Sequence, residues 1–121
     1  SLDELCRTAF TALVLGPVSF ARSSAELRPS SFVTLDRITE FAHDCPSATI
    51  AITGHTDASG DESWNRQLSL ARARAVADRI AGNGIDPQRL QVAGAGSAEP
   101  IADNATAYGR ELNRRIEFEL R

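Results

Sequence analysis

One stretch leaves this chain few folding choices. Residues 48–53 read Ala-Thr-Ile-Ala-Ile-Thr, a short β-branched run that suits a strand. It leads directly into Gly54-His55-Thr56-Asp57-Ala58-Ser59-Gly60, a small and polar loop. A long helix is predicted next, from Glu62 to Ala81, closed by Gly82-Asn83-Gly84. A strand, a loop at its carboxyl end and a helix that returns over it form the first half of an α/β layer. Around this unit, Leu2 to Leu15 has apolar residues near helical spacing and stops at Gly16-Pro17, and Val18 and Phe20 begin a short strand. Pro29-Ser30-Ser31 opens a helix whose Phe32, Leu35, Ile38, Phe41 and Ala42 share one face, and Asp44 to Pro46 ends it. Leu90 to Ala93 is a short strand and Gly94 to Arg110 a loop. The last strand, Asn113 to Arg121, alternates Arg114, Ile116, Phe118 and Leu120 with Arg115, Glu117, Glu119 and Arg121, so one face is buried and the other wet. The expected fold is an α/β (α+β) two-layer sandwich, a βαβαββ mixed sheet with helices on one face. An extra N-terminal helix, residues 1–16, precedes a core at residues 17–121, all in one domain.

The chain has 121 residues, enough for one compact domain. Thirteen basic and sixteen acidic residues leave a net charge of −3, which argues against nucleic acid or an anionic membrane as partner. No run is long and apolar enough to span a bilayer as a helix, and a chain opening on Ser1 reads as a processed or excised piece. Cys6 and Cys45 match neither a C-x-x-C nor a zinc pattern, which leaves two buried thiols or one disulfide. His55, Asp57 and Asp61 make a poor zinc set, and His43 stands apart on a helix, so no metal or cofactor is expected.

Ligands of open α/β sheets bind beyond the carboxyl ends of strands, here at the loop carrying Asp57. On the following helix, Asn65 and Arg72 are seven residues apart and lie on one stripe, beside Leu68, Ala71, Ala75, Val76 and Ile80. Arg79 falls near the same stripe, but its place at the helix C-terminus suits a structural role. Arg114 is the second arginine expected to face inward, at the edge of the core. A carboxylate, an amide and two guanidinium forks suit a small ligand that carries both an ammonium and a carboxylate. The competing reading is an internal Asp57–Arg72 salt bridge that orders the loop.

These residues have a familiar arrangement. Residues 49–60, ending Gly-His-Thr-Asp-Ala-Ser-Gly, resemble the "GHTD-x-x-G" loop of OmpA-like C-terminal domains, and residues 65–73, Asn-Arg-Gln-Leu-Ser-Leu-Ala-Arg-Ala, resemble the family's "N-x-x-LS-x-x-RA" helix. Gly84-Ile85, residues 94–101 and Asn113-Arg114-Arg115-Ile116-Glu117 are similar to its "GI", "G-x-G-x-x-x-P" and "NRRVE" segments, and Val18-Ser19-Phe20 with Ser23 and Leu27 to its opening strand and loop. The resemblance spans about residues 17 to 121. It implies non-covalent binding of peptidoglycan through the meso-diaminopimelate of the stem peptide, with Asp57 and Arg72 as the clamp. Thr56, Asn65, Arg114 and Ser23 follow as further contacts, although asparagine is common at the Ser23 position. It also implies a cell-envelope protein, periplasmic and associated with the outer membrane and wall, or its actinobacterial counterpart. The full-length protein is then expected to be membrane-attached. That setting favours a Cys6–Cys45 disulfide. Trp64 departs from the tyrosine or leucine frequent there; it packs beneath the loop or lines the pocket, and packing is the outcome expected.

A stator- or secretion-associated interaction protein would use the same fold. A hydrolase built from His55, Asp57 and Ser59 or Ser69 is disfavoured: side chains two residues apart on an extended loop diverge, and no G-x-S-x-G elbow is present. Gly94-Ala95-Gly96 lacks the rest of a nucleotide loop and reads as a turn. No catalytic residue is expected.

Overall fold

The computed structural model describes residues 2–121. Its elements are α1 (Leu2–Thr11), α2 (Phe32–Asp44), β1 (Ile50–His55), α3 (Glu62–Gly82), β2 (Leu90–Gly94), α4 (Ala107–Asn113) and β3 (Arg115–Leu120), with 3-10 turns at Pro29–Ser31 and Pro87–Arg89. The sheet order is β2-β1-β3. The β1/β2 pair is parallel, with Ile50 opposite Leu90, and α3 makes the crossover between them. The β1/β3 pair is antiparallel, with His55 opposite Arg115.

One cluster forms the core. Leu35, Ile38 and Phe41 of α2, Ile50 and Ile52 of β1, and Ala73, Val76 and Ile80 of α3 are buried together, and Ile116, Phe118 and Leu120 pack against it from β3. The alternation read from β3 therefore holds, and so does the α+β class. Gly54 shows how closely the layers meet: a Cβ there would lie 2.1 Å from the Ser69 carbonyl oxygen of α3. The buried line on α3 runs Asn65, Ser69, Ala73, Val76, Ala77, Ile80. Arg72 flanks this line and Ala71 is exposed, which corrects the stripe expected from spacing.

Several boundaries moved. The helix expected over Leu2 to Leu15 stops at Thr11, although Leu13 still packs on the core. Among the described residues the strand expected at Val18–Phe20 is reduced to one bridge, Phe20 to Leu27. Ser31 explains that geometry. Its buried hydroxyl accepts from the Ser19 N–H at 2.8 Å and donates to the Ser19 carbonyl at 3.1 Å, so the turn that leads into α2 holds residue 19. The loop expected over Gly94 to Arg110 ends in α4, and β3 starts at Arg115 instead of Asn113. Asn113, fully buried, fastens that loop: its Oδ1 accepts from the N–H groups of Ile101 and Ala102, and its Nδ2 donates to the Ala102 carbonyl and to Asn104 Oδ1.

Cys6 and Cys45 form a disulfide across 39 residues of sequence. It ties α1 to the end of α2, where Phe10 meets Phe41 edge-on at 5.2 Å. Arg89 secures the same corner by donating to the carbonyls of Ala42, Cys45 and Ala48, where a cation also suits the C-terminus of α2.

Candidate functional site

The loop after β1 is held from both sides. The Thr56 N–H donates to the Gly96 carbonyl, the Ala95 N–H to the Gly54 carbonyl, and the Ala58 N–H to Asn104 Oδ1. The Thr56 hydroxyl donates to the Asp57 carbonyl at 2.9 Å. Asn65, buried on the first turns of α3, donates from Nδ2 to the Ser59 carbonyl at 3.0 Å and lies 3.5 Å from the Asp57 carbonyl. Thr56 and Asn65 thus shape the backbone around Asp57.

Asp57 is mostly buried, with 9% of its surface exposed. Its Oδ1 accepts from the Ser59 N–H at 2.7 Å and its Oδ2 from Arg114 Nη1 at 2.6 Å. Burial by itself would raise the carboxyl pKa. The Ser59 N–H and the Arg114 guanidinium outweigh it and hold the pKa below the ordinary carboxylate value, so the group is an anion near neutral pH. Arg114 reaches Asp57 because it caps α4 before β3 begins. Its side chain is about half exposed, at the edge of the core where the start of the strand was expected to put it.

Arg72 projects from the flank of α3. Its Nε donates to the Ser24 carbonyl at 2.8 Å and its guanidinium stands 5.0 Å from the centre of the Phe20 ring. Among the described residues no carboxylate pairs with it, and Nη1 and Nη2 make no hydrogen bond. The internal Asp57–Arg72 salt bridge is therefore absent, and Arg114 occupies Asp57 instead. Burial, and then the charge of Arg114, lower the Arg72 pKa. The two guanidiniums repel each other, and among the described residues Asp57 is the one acid that pairs with either of them. Ser23 lies exposed in the neighbouring loop at φ 53°, a left-handed backbone that asparagine adopts more readily than serine. The Ser24 carbonyl, Phe20 and Asn104 are contacts that carry no sequence signature of their own.

A groove of about 370 Å³, lined by residues 15–18 and 114–118, lies beside the site and shares only Arg114 with it. Arg79 stacks over Phe32 at 3.8 Å, a structural contact. Trp64 does not pack beneath the loop: about half of its surface is exposed.

His55 ends β1 and faces away from Gly54 and α3. It is 4% exposed, and neither ring nitrogen has a hydrogen-bond partner. Glu117 Oε1 is 3.7 Å away, while Glu117 Oε2 accepts from Arg115 Nε at 2.6 Å. Burial first, and then Arg115, push the His55 pKa below 6.5, against the opposing pull of Glu117 and Glu99. A histidine held neutral by folding adds stability that is complete above its unfolded pKa. That stability is lost as the pH falls below about 6.5 toward the folded value. Urea unfolding midpoints are therefore expected to drop between pH 7.5 and pH 5, and His55→Gln is expected to flatten that drop. Equal slopes for the two proteins would assign it elsewhere.

Residues 19–114 match the sequence pattern of the OmpA family. The chain belongs to the OmpA family. The peptidoglycan-binding protein ArfA of Mycobacterium tuberculosis is 39% identical over 112 residues, 93% of this chain and 34% of that protein. The chain thus spans about a third of the length of this curated relative. The cell wall anchor of the T6SS from Pseudomonas aeruginosa superposes with a TM-score of 0.74 at 28% identity, covering 98% of this chain and 94% of that one. The periplasmic domain of Helicobacter pylori MotB has a TM-score of 0.74 at 24% identity, over 84% of this chain and 74% of that one, a likeness of fold. The OmpA-family match includes the Asp57 loop, α3 and Arg114.

Proposed function

We propose that this domain binds peptidoglycan without forming a covalent bond and holds the envelope protein that carries it to the cell wall. The ligand group is the free end of a meso-diaminopimelate residue, one carbon bearing an ammonium and a carboxylate. Asp57 accepts the ammonium. Arg72 takes the carboxylate through its open Nη1 and Nη2, with Arg114 on the other side. The observation that carries this reading is Arg72, a half-buried guanidinium that no acid among the described residues neutralises, on the helix that follows the loop of a carboxylate kept ionised. A bound carboxylate relieves the repulsion between Arg72 and Arg114 while its ammonium meets Asp57. Hydrogen bonds to charged groups contribute about 1.5–3 kcal/mol each, so a few suffice without a deep apolar pocket. The loop tethers mean that little ordering remains to be done on binding.

The wall-facing compartment, outer-membrane association and membrane attachment of the whole protein belong to the same proposal. ArfA, named as peptidoglycan-binding, and the secretion-system wall anchor support it. The likeness to MotB keeps a stator-type role for the whole protein as the second reading. In either case the domain does no covalent chemistry. Incubation with purified sacculi tests this directly. The domain is expected to pellet with them, to be displaced by free meso-diaminopimelate but not by lysine, and to release no soluble muropeptides. Failure to pellet refutes the anchor; released fragments make it a hydrolase.

A further inference from the structure

The exposed Trp64 is the feature that the proposed clamp leaves unused. It is the chain's one tryptophan, about half exposed, and its indole makes no ring stacking, cation or hydrogen-bond contact among the described residues. Its backbone is fixed: the Trp64 N–H donates to the N-cap carboxylate of Asp61 at 2.9 Å. The indole therefore offers a large apolar ring face to solvent at the start of α3, a surface on which a flat partner can stack.

Its placement narrows the partner. Trp64 directly precedes Asn65, whose amide grips the Ser59 carbonyl of the Asp57 loop. Helical geometry sets Leu68 about 40° and Arg72 about 80° around α3 from Trp64, so the indole, Leu68 and Arg72 follow one another around the helix. Side chains in a helix lean toward its N-terminus, which here is the end where Asp57 lies. The indole therefore stands on the Arg72 side of α3, at the helix end that follows the Asp57 loop. Three residues of stem peptide span at most roughly 10 Å of backbone, to which the third residue's side chain and the link to the sugar add. Eight residues of helix put Trp64 about 12 Å along the axis from Arg72, within that combined reach.

We propose that Trp64 stacks on the face of an N-acetylated hexopyranose of the glycan strand, the sugar that carries the stem peptide held by Asp57 and Arg72. The axial C–H groups of a pyranose make one face apolar, and they meet the electron-rich face of the indole. This proposal rests on the proposed function and adds a saccharide subsite to it. The subsite makes the domain prefer stem peptides still attached to glycan over free ones.

Because Trp64 is the sole tryptophan, its fluorescence reports on this contact without ambiguity. Two probes separate the outcomes: a disaccharide-tripeptide ending in meso-diaminopimelate and the same tripeptide without sugar. Binding of the sugar-bearing probe is expected to shift Trp64 emission and that of the tripeptide to leave it nearly unchanged. By calorimetry, Trp64→Ala is expected to weaken the disaccharide-tripeptide roughly three- to tenfold, leave the tripeptide unaffected, and be rescued in part by Trp64→Tyr. Equal affinities of the wild type for both probes, or equal losses on both in Trp64→Ala, overturn the stacking role while the clamp stands. If neither probe binds the wild type, the clamp falls and the subsite with it.

Discussion

Arg72→Ala is expected to weaken binding to diaminopimelate-containing peptidoglycan by about a hundredfold, enough to leave the domain in the supernatant of a sedimentation assay. The substitution removes two open donors aimed at a ligand carboxylate, each hydrogen bond to a charged group being worth about 1.5–3 kcal/mol. Stability should change little, by about 1 kcal/mol, because the protein itself uses only the Nε bond to Ser24 and the stack on Phe20. Arg72→Lys should not restore binding, since an ammonium cannot hold the Ser24 carbonyl and grip a carboxylate with a fork at the same time. Asp57→Asn is expected to fail equally, for a different reason: it removes the negative charge that meets the ammonium and breaks the ion pair with Arg114. Isothermal titration with a stem tripeptide, run beside urea unfolding of the same proteins, separates binding from folding. A variant lacking Arg72 that binds as tightly as the wild type would remove the clamp from consideration. A collapse of its unfolding midpoint would make this arginine a folding residue.

Breaking the disulfide has the largest expected effect on stability. In the chain-entropy account, closing a loop of 39 residues contributes about 4 kcal/mol, by restricting the unfolded chain. Reduction, or Cys6→Ser with Cys45→Ser, is expected to lower the urea midpoint accordingly while leaving tripeptide affinity intact, because the clamp stands on β1, α3 and α4. Coincident unfolding curves with and without reductant would show that the bond constrains little. A parallel loss of affinity would mean that α1 supports the ligand loop.

The sequence was informative wherever a buried face imposed a period. The β-branched run became β1, the apolar stripe became α2, and the alternating residues of the last strand pack on the core as read. Legibility failed where long-range hydrogen bonds decide the local form. α4 is seven residues long, with Tyr108 and Leu112 exposed, so no apolar period marks it; the Thr106 cap and the buried Asn113 amide hold it instead. That unseen helix turned Arg114 toward Asp57. Composition likewise could not show that the Ser31 hydroxyl would hold residue 19 and keep the opening segment from forming a strand.

At the site, spacing singled out Asp57, Arg72 and Arg114 but did not show that Arg114 would hold Asp57. Angle along a helix says which residues share a side, not which carboxylate a long guanidinium reaches. Arg72 was drawn away by the Ser24 carbonyl and the Phe20 ring, both in a loop with no regular pattern. Trp64 was misjudged because a tryptophan near a helix start is ordinarily buried for its area, and nothing local reveals whether another element will arrive to cover it.

The covalent bond from Cys6 to Cys45 also decides how a mechanical load would travel. Tension applied between α1 and a molecule gripped at Asp57 crosses at once to Cys45, runs through the short link to Ile50, and follows the central strand to its end. Residues 7–44 are bypassed. β1 is hydrogen-bonded on both edges, and a pull along its length must shear both ladders together instead of peeling them one rung at a time.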